Sequence, residues 1–206
     1  MERAEFIERV RDRLAAVPRV EADVPAGWGV AVANRGARFE EELTAIGGVV
    51  HRTPRAEAAS VLERWPGLVF LTTREEGLPP GIDEAVAGGG GELLHWPDAT
   101  TDQIADTVDV GLTSALWGVA ETGSVLVSAA PPGGRAPSLV VPVHVVFLPE
   151  ERVLGTVEEA FAAIDALDDL PSNLVLITGP SKSADIGMEL AVGVHGPGEV
   201  HVVLTS

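Results

Sequence analysis

Apolar positions recur along this chain in two alternating rhythms. Over residues 2–16, Phe6, Ile7, Val10 and Leu14 fall at helical spacing with Arg and Glu between them, and Pro18 ends the amphipathic helix they define. Residues 19–28 carry Pro and Gly and read as a surface connection. Residues 36–46 form a second helical pattern closed by Gly47-Gly48, and Val49-Val50-His51 follows as a short strand. Residues 56–65 read as a third helix, and Gly67 turns the chain into the apolar run Leu68-Val69-Phe70-Leu71. Residues 82–87 give one more short helix before Gly88–Gly91, and a strand follows at 92–96. Those glycines therefore read as a turn and not as a phosphate loop, which would open a helix. Helix-then-strand alternation of this kind requires crossover connections and a mostly parallel sheet.

The second half is more apolar. Residues 101–119 begin polar and end small and apolar, with Thr113 or Ser114 placed to cap a helical turn through Ala115, Leu116 and Val119. Val125-Leu126-Val127 is a strand. In the run 139–148, Pro142 cannot donate to a ladder, so the main strand starts at Val143. Residues 153–167 read as an amphipathic helix and residues 200–204 as a final strand. Between them lies 174–190, a short apolar strand (174–178), the breaker Gly179-Pro180-Ser181, and a short helix capped by Ser181, Ser183 or Asp185 and stopped by Gly193 and then Gly196-Pro197-Gly198. Strand, small-residue loop and helix N-terminus would aim backbone N–H groups and a positive dipole end into the loop, where Lys182 adds charge. The segment is either an anion site or an ordinary capped βα turn.

The length, 206 residues, suits one α/β domain spanning 1–206, with 1–17 as an N-terminal helical extension. A formal net charge of −17 and the absence of Tyr argue against a phosphate-backbone surface or a base-stacking platform, so no nucleic-acid partner is expected. No apolar run reaches the roughly 18 residues of a membrane span, and residues 1–14 lack the apolar core of a signal peptide; a cytoplasmic protein without a membrane partner is the expectation. Cysteine is absent, which removes disulfides, cysteine nucleophiles and thiolate-ligated iron–sulfur clusters from this chain.

Glu121 is the carboxylate of most chemical interest, because Thr122-Gly123-Ser124 after it offers hydroxyls and close backbone approach at a strand entry. It reads as a base, acid or nucleophile, or as a helix-end carboxylate bonding local backbone. Of the five histidines, His51, His95, His144, His195 and His201, none has zinc-ligand spacing, so no metal is assigned. His195, set among Gly193, Gly196 and Pro197, is the loop histidine nearest the 179–183 segment, whereas His144 and His201 alternate with apolar strand residues.

Three segments, in order, resemble one family. They are Asp109-Val110-Gly111-Leu112-Thr113 with Ala120-Glu121-Thr122-Gly123-Ser124; Pro142-Val143-His144-Val145-Val146; and the stretch from Ser172-Asn173-Leu174 through Ile186 with Gly193-Val194-His195-Gly196-Pro197. The chain is identified by them as resembling the LUD-domain family of LutC/YkgG-type lactate-utilisation proteins, firmly over the C-terminal half. Lys182 stands where the family usually has Arg, keeping the charge but not the planar fork. Ser183 and Ser124 stand where Thr is common. The resemblance implies an α/β fold similar to the NagB/RpiA/CoA-transferase group. It also implies a part in oxidising L-lactate to pyruvate beside two iron–sulfur partner proteins, this chain being the cluster-free member with no cofactor of its own. A small organic anion or phosphate would sit in a cleft formed by Thr113, Thr122, Gly123, His144, Gly179, Pro180, Ser181, Lys182, Ser183, Asp185 and Gly196, with Glu121 and His195 as its catalytic candidates. The alternatives are a stand-alone sugar-phosphate isomerase- or CoA-transferase-like enzyme using Glu121, and a regulatory organic-anion-binding protein.

Overall fold

Buried parallel strands read as near-continuous apolar runs because both of their faces are covered, and this chain has several. The computed structural model describes residues 3–15, 17, 31–73, 77–96, 98–128, 134–184, 190–193 and 195–206. The first half runs α1 (Arg3–Ala15), α2 (Arg35–Ala45), β1 (Val49–Thr53), a 3-10 segment (Arg55–Arg64), β2 (Val69–Thr73), α3 (Ile82–Gly88), β3 (Glu92–Trp96) and α4 (Thr101–Thr107). Then come β4 (Val110–Ser114), β5 (Trp117–Val119), β6 (Ser124–Ser128), α5 (Ala136–Leu139), β7 (Val143–Pro149), β8 (Val153–Leu154) and α6 (Val157–Asp165). The chain closes with β9 (Leu174–Ile177), β10 (Lys182–Ala184), β11 (Leu190–Val192) and β12 (Glu199–Thr205).

The main sheet has six strands in the order β1-β12-β7-β4-β2-β3, and every neighbouring pair in it is parallel. Alternation of side chains along β7 divides the core. Val145 and Phe147 join Leu62, Phe70, Ile82, Val110, Leu112 and Val203 on the face covered by the 3-10 segment and α3. Val146 and Leu148 join Phe39, Leu43, Val125, Val127, Val202 and Leu204 on the other. That second face is covered by α2 and by a four-stranded sheet of order β8-β5-β6-β9, in which β5–β6 and β6–β9 are antiparallel. The α/β class and the parallel sheet agree with the sequence reading, and β7 does begin at Val143.

Three local expectations are corrected. The helical turn expected through Ala115, Leu116 and Val119 is instead the passage from β4 into β5. There Ala115 N–H donates to the Phe147 carbonyl (2.9 Å) and Leu116 N–H to the Leu126 carbonyl (2.8 Å), so pairing across the sheets overrides local propensity. The helix expected over 153–167 starts later. Val153 and Leu154 pair with Gly118 and Val119, and Thr156 then caps α6 by accepting from the Glu159 N–H at 3.2 Å. Most consequentially, no helix begins at Ser181 or Ser183, and Asp185 lies outside the described residues. The chain after Gly179-Pro180 enters β10, which pairs antiparallel with β11 from Lys182↔Val192 to Ala184↔Leu190, leaving only residues 185–189 between them. Among the described residues, no helix N-terminus follows Gly179-Pro180 to offer a dipole to an anion at 179–183.

Candidate functional site

Where the chain leaves β2 it moves outward to β3; where it leaves β4 it moves the opposite way, to β7. The carboxyl ends of the adjacent strands β2 and β4 are thus the topological switch point of the parallel sheet, the place at which open α/β sheets leave a crevice. Thr73 ends β2, and Thr113 lies one residue from the end of β4. With Val127 and Ser128 of β6, Val175 of β9, and Gly134, Arg135 and Ser138, they line a cavity of about 10 Å³. This is about the space one water-sized group occupies.

Two glycines hold the roof of this cavity down. A Cβ on Gly111 would stand 1.8 Å from the Pro137 carbonyl oxygen, and one on Gly134 would stand 2.4 Å from the Trp96 indole. Only glycine lets the start of α5 lie flat on β4 and lets residue 134 pass the indole at the end of β3. Arg135 follows directly, an exposed residue whose carbonyl accepts from the Ser138 N–H and hydroxyl, both at 3.1 Å.

The polar floor is buried. Thr73 and Thr113 are each 3% exposed and His144 is fully buried. Among the described residues the Thr73 hydroxyl has no hydrogen-bond partner, while the Thr113 hydroxyl and His144 Nε2 lie 2.8 Å apart. Burial pushes the His144 imidazole down from 6.5 to about 3, so the ring is neutral at neutral pH. A cation at one side and hydroxyls at the floor suit an anionic or strongly hydrogen-bond-accepting ligand.

The residues nominated from the sequence fall into four groups. Thr113 and His144 belong to the floor just described. Glu121 does not reach it: one carboxylate oxygen accepts from the Val157 N–H at 3.0 Å, at the first turn of α6, and the backbone N–H donates to Gly155. The residue lines a separate groove with Ala31, Val32, Ala33 and Arg38, whose guanidinium pairs with Glu41 and Glu42. Thr122, Ser124 and Thr178 form a chain of hydroxyls at 2.7 and 2.8 Å. Gly123 (φ 65°) and Gly179 (φ 73°) beside them pack against Leu43 and Ile46 of α2 and its end, and Lys182 Nζ donates to the Ile46 carbonyl at 2.5 Å. Ser181, after Pro180, donates its N–H to Pro197 at 2.8 Å and accepts from Gly193 at 3.0 Å. Beyond it His195 and Gly196 line an open groove of about 450 Å³ with Leu139 to Pro142, at the ends where β7 and β12 begin. The backbone of Ser183 pairs with Ala191 in the hairpin. Asp185 lies outside the described residues.

Thr73, Arg135 and Ser138 were not singled out from the sequence. The available signals were a Thr-Thr pair closing an apolar strand and a lone arginine inside a Gly/Pro-rich loop. Among the described residues, no group of three or more His, Cys, Asp or Glu is arranged to hold a metal ion, and no helix is long and apolar enough to cross a membrane.

Comparison with known proteins agrees with this architecture. Residues 36–205 match the LUD domain family. A Lactate utilization protein C of Bacillus licheniformis is 32% identical over 131 positions, covering 60% of this chain and 55% of its own. One from Macrococcus caseolyticus is 36% identical over 136 positions, covering 53% of this chain and 59% of its own. The match thus spans little more than half the length of these relatives. A DUF162 family protein from Deinococcus radiodurans of known crystal structure shares the fold with a TM-score of 0.61 at 21% identity, over 86% of this chain and 99% of that one.

Proposed function

This chain belongs to the LUD domain family, and from that premise we propose that it is the cluster-free component of an L-lactate utilisation system in the cytoplasm, holding a small organic anion at the β2–β4 switch point. The observation that carries the proposal is the cavity between Thr73 and Thr113 with Arg135 at its side, in a chain whose relatives are named for lactate utilisation. Oxidation of lactate to pyruvate releases two electrons and two protons. Without cysteine, this chain cannot anchor an iron–sulfur cluster through thiolates, so the electrons would pass to clusters held by partner subunits. Its own part is to hold the acid. The capping bond from Val157 to Glu121 favours this reading over an isomerase- or transferase-like enzyme that uses Glu121 as a base.

Deleting the gene in its source organism is expected to abolish growth on L-lactate while leaving growth on glucose intact. A tagged copy should restore growth and co-purify with iron-containing, cysteine-rich proteins. Normal growth of the deletion strain on lactate would remove the proposal.

A further inference from the structure

Thr72 pairs in register with Leu112, so Thr73 and Thr113 stand opposite one another on neighbouring strands, whose backbones are about 4.8 Å apart. Both residues line one cavity, which has room for one oxygen-sized group. What each hydroxyl offers there depends on His144. Its buried Nδ1 has no partner among the described residues, and its Nε2 faces the Thr113 hydroxyl at 2.8 Å. An orphaned buried N–H is rarer, and costs more, than an orphaned lone pair. The neutral ring therefore carries its proton on Nε2 and donates to Thr113, which leaves the Thr113 O–H free to donate elsewhere. The Thr73 O–H has no other acceptor among the described residues. Both hydroxyls thus act as donors, and a site with two donors and room for one oxygen selects an oxygen that only accepts.

We propose that this cavity seats the C2 carbonyl oxygen of a 2-oxo monocarboxylate between the Thr73 and Thr113 hydroxyls, with Arg135 taking the carboxylate and His144 acting as the positioning residue that turns Thr113 into a donor. The inference rests on the reading above that this chain handles a lactate-like acid, and it adds which redox form is bound more tightly. A carbonyl oxygen accepts from both hydroxyls; the C2 hydroxyl of lactate brings a third proton that finds no acceptor between them. Arg135, exposed at the cavity's edge, presents a planar fork matched to a carboxylate lying outside it.

The test is calorimetric titration of the full chain with pyruvate, L-lactate and propionate at one ionic strength. Pyruvate should bind at least about tenfold more tightly than propionate, which lacks the C2 oxygen, with lactate between them. Thr73→Val and Thr113→Val, near-isosteric changes whose folding is checked by melting temperature, should each pull the pyruvate-to-propionate ratio towards one and leave propionate unchanged. Arg135→Gln should weaken both ligands alike. Nitrogen-15 histidine spectra of the unliganded protein should place the His144 proton on Nε2. Equal binding of pyruvate and propionate, no binding of pyruvate at millimolar concentration, or a proton on Nδ1 would each overturn the assignment. If any of these is found while the deletion strain still fails on lactate, the subsite is wrong and the broader role stands.

Discussion

Lys182 illustrates how one residue can carry a charge suited to a ligand and spend it on the fold. Its Nζ donates to the Ile46 carbonyl, one of the acceptors left without an intrahelical partner at the end of α2, where a cation also meets the negative end of the dipole. Lys182→Ala should lower stability by about 0.5–1 kcal/mol in urea titrations and leave anion binding unchanged; a large loss of binding would return Lys182 to the ligand site. A second pair of residues sets a pH dependence. His51 Nε2 and His201 Nδ1 are 3.1 Å apart with their rings nearly parallel, Trp65 meets His201 edge-on, and His201 Nε2 faces Glu199 at 3.3 Å. Burial, then His201 and Arg64, lower His51 from 6.5 to about 4, and burial lowers His201 in the same direction against the pull of Glu199. Both rings bind protons more readily when unfolded. Their contribution is therefore fully present above pH 6.5 and is lost as pH falls towards about 4, so stability should rise with pH across that window. Urea midpoints of His51→Gln should show a shallower slope there than those of the parent; an unchanged slope would assign the acid sensitivity to other groups.

At the scale of elements, α5 decides whether the switch point can be a site, because this one turn carries the chain from Arg135 across β4. Gly111→Ala would drive a methyl into the Pro137 carbonyl and displace α5, costing about 1–3 kcal/mol and weakening pyruvate binding. Gly88→Ala, at the end of α3 where an added Cβ meets nothing within 4 Å, is the control and should leave pyruvate binding unchanged while raising stability by about 0.4–1 kcal/mol. Equal effects of the two changes would mean that α5 is not wedged against β4. The same elements show what was legible in the sequence. Runs such as Val143–Pro149 announce buried parallel strands because both faces are apolar, and the intervening helices announce the crossovers. The stretch after Gly179 was misread because a Gly-Pro breaker is compatible with a helix or a hairpin. The choice is made by β10 pairing with β11 and by contacts with α2, which lie far away in sequence. Thr113 and His144 were recoverable as single residues, but their partnership, and Thr73 beside them, arise only once β2, β4 and β7 are placed side by side.

For the molecule as a whole, the formal charge of −17 sets the terms on which an anion arrives. Arg135 attracts a carboxylate at contact, but beyond a few ångströms the field is that of the whole acidic chain, and it repels. The screening length falls from about 30 Å at 0.01 M salt to about 10 Å at 0.1 M, which removes the distant repulsion while barely touching a contact pair partly shielded from solvent. Association governed by the whole field should therefore speed up with salt, the opposite of a site approached through a basic funnel. Stopped-flow measurement of pyruvate binding should show a rising association rate between those salt concentrations and a nearly constant dissociation rate. Arg135→Gln should reverse the pattern of control, raising the dissociation rate and leaving the salt dependence of association almost as it was. An association rate that falls with salt would mean that a local basic surface steers the ligand, and that the ligand enters by a route other than the one Arg135 borders.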